Sequence, residues 1–257
     1  MYNNYYNTGL CRFQVLFLKK TQKRGDSDGL LSTKEDKIRR LMQYQYCFFD
    51  LDGTVIDSSP GILRSFNYAL DRLALPRFTE ADTASFIGPP LIHVFCKRFG
   101  LSEEDGTRGV AYYRECYRAG GMLECRVYDG IRELLDALSK RGVRCVLATC
   151  KPHEFATKIL HHHGLLDRFS LVAGPEMDGT RGEKDEVISY AKEQLGIRDP
   201  RRVLMIGDRA NDVWGARQNK MECLGVLWGF GTAEELEGEG AMALCSTPAD
   251  VLNFFDN

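Results

Sequence analysis

The chain has 257 residues, which fits one large domain or a core with a smaller insert at the usual ~100–200 residues per domain. Apolar residues make up 44% and charged residues 27%, the balance of an ordinary water-soluble globular protein. A net charge of −2 offers no basic surplus for nucleic acid, and no apolar run approaches the ~18–20 residues needed to span a bilayer.

Residues 1–41 differ from the rest. "MYNNYYNTGL" is polar and aromatic, and residues 11–41 hold one short apolar run, VLFL, and then dense mixed charge. That run is too short for a secretory leader and meets lysines at once. Weak periodicity predicts a flexible extension over 1–41, a tail or an over-extended start, with the folded protein beginning at Met42. Nine cysteines are scattered without a CxxC pair. Cys47, Cys145 and Cys223 lie in apolar runs, where cysteine serves as a small core residue, so the expectation is thiols in a reducing cytosol.

From Gln45 onward, short apolar strands alternate with helical patterns. The predicted strands are 45–50, 143–148, 169–173, 202–206 and 223–227, each nearly continuously apolar, as buried parallel strands are. Helices are predicted between them over 130–141, 152–163, 184–195 and 209–219. The alternation predicts an α/β fold with a doubly wound parallel sheet. The interval 58–126 breaks it with helical stretches at 60–74, 90–99 and 103–119 and a Gly-Pro-Pro turn at 88–90. It reads as an all-helical cap over the carboxyl edge of a core formed by 42–57 and 127–257, the edge where open α/β sheets bind ligands.

Acids gather at that edge. "FFDLDGTV" (48–55) places Asp50 and Asp52 at the tip of the first strand, with Gly53 permitting the turn. "GDRAND" places Asp208 and Asp212 at the start of a helix after the fourth strand. Three or four converging carboxylates require a cation, and hard oxygen donors of this kind suit Mg²⁺. Thr149, at the tip of the second strand in "VLATCKP", suits an anion, and Lys184, at the start of a helix, could reach a phosphate. Taken singly, Asp208 or Thr149 could cap a helix and Lys184 could be a solvated surface charge. Their order, each at a different strand end, favours a shared site.

The arrangement resembles the haloacid dehalogenase-like hydrolase superfamily. Its four motifs read here as Asp50-Leu51-Asp52-Gly53-Thr54-Val55, Thr149, Lys184, and Gly207-Asp208 with Asp212. The insert is similar to that family's small helical cap of the first type. "FIGPPL" (86–91) and "MDGTRGEK" (177–184) are similar to its phosphoglycolate-phosphatase-like branch, some members of which are described as 5′-nucleotidases.

The resemblance implies a phosphatase acting through an aspartyl-phosphate. Asp50 would be the nucleophile, and Asp52 the general acid for the leaving alcohol and then the base for water. Mg²⁺ would be held by Asp50, the backbone carbonyl of Asp52, and Asp208, with Asp212 supporting the metal or Lys184. Thr149 and Lys184 would hold phosphoryl oxygens, and Gly53, Thr54, Cys150 and Gly88 would border the substrate. Cys150 stands where the family often has a small Ser or Asn. The presence of Asp52 favours phosphoryl transfer over carbon–halogen cleavage, which needs no proton for a leaving alcohol.

The expected partner is a small phosphomonoester: phosphoglycolate, a nucleoside monophosphate or a sugar phosphate. A phosphomutase shares all four motifs, and a non-catalytic phosphate-binding protein is the alternative from another class. Arg64, Lys97, Arg98 and Arg118 read first as a solvated helix face, with a substrate carboxylate or second phosphate as the alternative. The turn at 86–91 is the better substrate contact. Trp214 and Trp228 read as packing residues, and the His161–His163 run as a surface helix end, since neighbours ~100° apart on a helix make a poor metal cage.

Overall fold

A computed structural model describes residues 44–255, and the expectations for residues 1–41 lie outside that span. The strands are β1 (Tyr46–Phe49), β2 (Ile56–Asp57), β3 (Arg126–Val127), β4 (Arg144–Ala148), β5 (Val172–Ala173), β6 (Val203–Gly207), β7 (Glu222–Val226) and β8 (Ala243–Cys245). The helices are α1 (Ser59–Arg72), α2 (Thr83–Phe86), α3 (Leu91–His93), α4 (Glu103–Arg118), α5 (Ile131–Lys140), α6 (His153–His162), α7 (Lys184–Gln194), α8 (Ala210–Gln218) and α9 (Ala233–Glu239).

Six strands form one parallel sheet in the order β5-β4-β1-β6-β7-β8. β1 lies inside it, with Phe49 opposite Leu147 on one side and Ile206 on the other. Successive residues of β1 enter opposite layers: Cys47 and Phe49 pack with α5 and α6, while Phe48 packs with α7, α8 and Leu236 of α9. Both faces are covered, which is why this strand is apolar without alternation. α5 shows the matching pattern from the helix side, burying Ile131, Leu134, Leu135 and Leu138 at helical spacing.

β2 and β3 form a separate antiparallel ribbon, Ile56 opposite Val127 and Asp57 opposite Arg126. It carries the chain out to the helices α1–α4 and back. Pro60 sits in the first turn of α1, where its missing N–H costs nothing. Ser102 caps α4 by accepting the Asp105 amide, with Glu103, Glu104 and Asp105 in the first turn, where acids favour the helix dipole. These helices bury a core of their own around Phe66, whose ring centre lies 4.9–5.5 Å from those of Phe78, Phe86, Phe95 and Tyr113. Phe155 of α6 joins the same cluster.

Several expectations need correction. The strand expected over 169–173 shortens to Val172–Ala173: Phe169 is already extended, and the Ser170 amide and Leu171 carbonyl bond to Cys145 and Leu147 of β4, but regular pairing with β4 covers only the last two residues. The helix expected over 90–99 is a short α3 followed by a wider π turn over Val94–Arg98. No element was expected after 227, yet β8 and α9 lie there. β8 has only three residues and α9 carries four glutamates in seven residues, so neither announces itself by apolar period.

Candidate active site

Asp50 follows β1 directly, and its amide donates to the Ile206 carbonyl of β6. The chain then wraps around the Leu51 carbonyl, which accepts the amides of Thr54, Val55 and Ile56. Gly53 sits in this turn at φ +80°, and a Cβ there would lie 2.1 Å from Oδ2 of Asp208. The turn must therefore approach Asp208 closely, and only glycine allows it. Thr54, fully buried, donates from Oγ1 to Oδ1 of Asp208 at 3.1 Å, and Trp228 donates from Nε1 to the Thr54 carbonyl. Trp228 thus has a polar tie as well as the packing expected of it.

Asp208 directly follows β6 and is completely buried. Its Oδ2 also accepts the Phe230 amide at 2.8 Å. Burial, and then the charges of Asp212 and Asp50, push its carboxyl well above the usual carboxylate range against those hydrogen bonds. Asp212 lies in the first turn of α8, where Oδ2 accepts the Arg209 amide at 3.1 Å. Its carboxyl is pushed up to about 6, chiefly by burial, with Lys184 opposing. Lys184 opens α7 with 1% of its surface exposed. Nζ lies 2.8 Å from Oδ1 of Asp50 and 2.7 Å from Oδ1 of Asp212, and donates to the Ala148 carbonyl at 3.1 Å. Burial works against its charge, but Asp212 and Asp50 prevail and hold its pKa well above the ordinary lysine value. Lys184 is not a solvated surface charge, and the first capping position of α8 belongs to Arg209 rather than Asp208.

Among the described residues, Asp50, Asp208 and Asp212 offer carboxylate oxygens all within 4.8 Å of one another. Three buried acids face the single ammonium of Lys184, which leaves a negative centre. Among the described residues, Oδ1 of Asp50 and of Asp212 lie against that ammonium and accept no other hydrogen bond. Hard, buried, incompletely satisfied carboxylate oxygens fit a Mg²⁺ ion, which takes one or two carboxylates and completes its shell with water and phosphate.

The carboxylate of Asp52 is not part of this group. Its Oδ2 lies 2.9 Å from Nζ of Lys151, a residue of "VLATCKP" whose role sequence reasoning missed. Lys151 is buried, donates to the Tyr117 hydroxyl of α4 at 2.7 Å, and lies 5.0 Å from that ring's centre. The available signal was a lysine two residues past a strand-end threonine, on an edge crowded with acids. Thr149 directly follows β4 and is almost wholly buried, and its Oγ1 accepts the Lys151 amide at 3.2 Å rather than capping a helix. Cys150 lies beside Asn211 of α8, whose Nδ2 is 3.8 Å from Sγ, and burial pushes its thiol up to about 12.

Gly88 sits in the turn between α2 and α3 at φ +107°, next to the Arg209 guanidinium rather than the acids. The basic residues of the helical segment face one another's acids or solvent: Arg64 pairs with Glu124, Arg98 with Asp82, and Arg118 lies over the Phe155 ring. Lys97 is exposed.

Comparison with known proteins identifies the family. The family described as haloacid dehalogenase-like hydrolase matches residues 47–226. A "5'-nucleotidase" of Pseudomonas aeruginosa is 40% identical over 205 residues, 80% of this chain and 92% of its own. "Tyrosine-protein kinase PtkA" of Mycobacterium tuberculosis is 38% identical over 193 residues, 75% of this chain and 65% of its own. The crystal structure of a "predicted phosphatase" from Clostridium acetobutylicum superposes with a TM-score of 0.78 at 39% identity, covering 82% of this chain and 97% of that one. The chain belongs to the haloacid dehalogenase-like hydrolases.

Proposed function

We propose that the protein is a Mg²⁺-dependent phosphatase that hydrolyses a small phosphomonoester through an aspartyl-phosphate on Asp50. One observation carries this reading: Asp50 directly follows a central strand, with a buried oxygen close to the Lys184 ammonium and beside Asp208 and Asp212. Residues 58–126 act as the cap over a core formed by 42–57 and 127–257.

In the first step an oxygen of Asp50 attacks phosphorus, the P–O bond to the leaving group breaks, and Asp52 donates a proton to the departing alcohol. In the second, Asp52 takes a proton from water, whose oxygen attacks phosphorus and breaks the bond to Asp50, releasing phosphate. Lys184 and Thr149 hold phosphoryl oxygens as charge redistributes. Asp50, Asp208 and the Asp52 carbonyl, with Asp212 in support, would hold Mg²⁺, and the ion would supply positive charge against the repulsion between the Asp50 carboxylate and the phosphate dianion. Gly53, Thr54, Cys150 and Gly88 border the substrate.

Nucleoside monophosphates head the substrate order because the relative named for that activity shares 40% identity, ahead of phosphoglycolate and sugar phosphates. Transfer to a hydroxyl other than water is the second reading, favoured by the relative named as a kinase. Phosphate release from a panel of the three substrate groups, with and without Mg²⁺, tests the first reading. Product formation without phosphate release would favour the second, and an Asp50→Asn variant with undiminished turnover refutes both.

A further inference from the structure

Arg209 directly follows Asp208, yet its guanidinium turns away from the acids. Nε donates to Oε1 of Glu235 in α9 at 2.9 Å, and the same oxygen accepts the Ala210 amide at 2.8 Å. Nη1 donates across to the carbonyls of Ile87 at 2.5 Å and Ala84 at 3.3 Å, in and just after α2. The Arg209 amide donates to Oδ2 of Asp212. One residue therefore touches the acid cluster, α9 and the turn before Gly88.

Surface arginines usually gain little from such ties, because a long side chain must be frozen. Here Glu235 holds the guanidinium from one side, and its rigid fork reaches the backbone on the other. The turn is seated closely on it: a Cβ on Gly88 would come within 3.3 Å of Nη1. Ile87 is anchored in the aromatic cluster around Phe66, so the turn is gripped from both directions.

We infer that Arg209 is a positioning residue that clasps the 84–88 turn to the end of β6 and so fixes the substrate-bordering turn at a set distance from the acids. The inference rests on the phosphatase reading of that site. The turn would touch substrate and transition state alike, so loosening it should raise KM and spare kcat.

Arg209→Lys keeps the charge, but a single ammonium cannot span Glu235 and two carbonyls as the fork does. In Arg209→Lys and Arg209→Ala, KM for the best monoester should rise about ten-fold with kcat changed less than about three-fold. Amide exchange should quicken at 84–88 and not in the central sheet. Glu235→Gln, which keeps an acceptor for Nε and for the Ala210 amide, should stay within about three-fold of the wild type in KM. Unchanged KM overturns the inference even where exchange quickens, because the tie is then structural only. Quickened exchange throughout the chain overturns it too. Wild-type protein that releases phosphate from no monoester sinks the phosphatase reading instead, and exchange at 84–88 then decides the clasp alone.

Discussion

The ammonium of Lys151 lies 2.9 Å from Oδ2 of Asp52, with 6% and 18% of the two side chains exposed. A buried pair of this kind contributes most visibly when one member is lost. Lys151→Met should leave Asp52 without its cation and sever the tie to Tyr117. The expected outcome is a loss of about 3 kcal/mol in denaturant unfolding and of ten-fold or more, on the order of 10–100, in kcat/KM. Tyr117→Phe removes only an acceptor for that ammonium and should cost about 1 kcal/mol. Wild-type kcat/KM in Lys151→Met would dismiss the lysine as a bystander.

Asp50→Asn keeps the shape of the side chain and removes the charge of the proposed nucleophile. Turnover should fall by at least ~10³-fold in steady-state kinetics, as expected when a covalent nucleophile is lost. Unfolding stability should change far less, since Asp208 is relieved of a like charge while Lys184 keeps Asp212.

The acid cluster makes stability depend on pH with a definite sign. Asp212 rises from an ordinary 3.8 to about 6 in the folded chain, so folding favours its protonated form. Its contribution is fully present below about 3.8 and is lost as pH climbs through about 6, in protein stripped of divalent cations. Asp208, also raised, acts in the same direction. Asp212→Asn should flatten that limb in thermal melts taken across the range. Mg²⁺ competes with those protons, so the rise in Tm on adding it should be larger at about pH 7.5 than at about pH 5. Equal shifts at both would argue against these acids as the ligands.

Phe66 tests the helical layer separately from the sheet. It is fully buried among four aromatic rings. Phe66→Ala should cost about 3–5 kcal/mol through the cavity it leaves, measured by chemical denaturation. Because these contacts lie within residues 66–113 rather than the sheet, protease sensitivity should appear there first.

The parallel sheet was legible because strands buried on both faces are written as unbroken apolar runs, and Asp50, Lys184, Asp208 and Asp212 were legible because each ends a strand or starts a helix. β8 and α9 were not, since a three-residue strand and an acidic helix carry little periodic signal. Lys151 was missed because its role comes from Tyr117, 34 positions earlier, and from Asp52, and sequence order does not reveal that meeting. Arg209 was missed for a similar reason. It sat inside a motif read for its acids, while its partners lie on α2, the turn after it, and α9.

β1 has a hydrogen-bonded neighbour on each side, and the Asp50 amide continues that ladder by bonding to Ile206. Interior strands are usually the last part of a domain to open, and their amides exchange only through global unfolding. The Asp50 carboxylate, the proposed nucleophile, therefore rides on an interior strand, and the turn at 84–88 is held to the end of β6 by the side-chain ties of Arg209. Activity lost on gentle warming, before the sheet signal changes, would mark the departure of the turn from a reaction centre still intact beneath it.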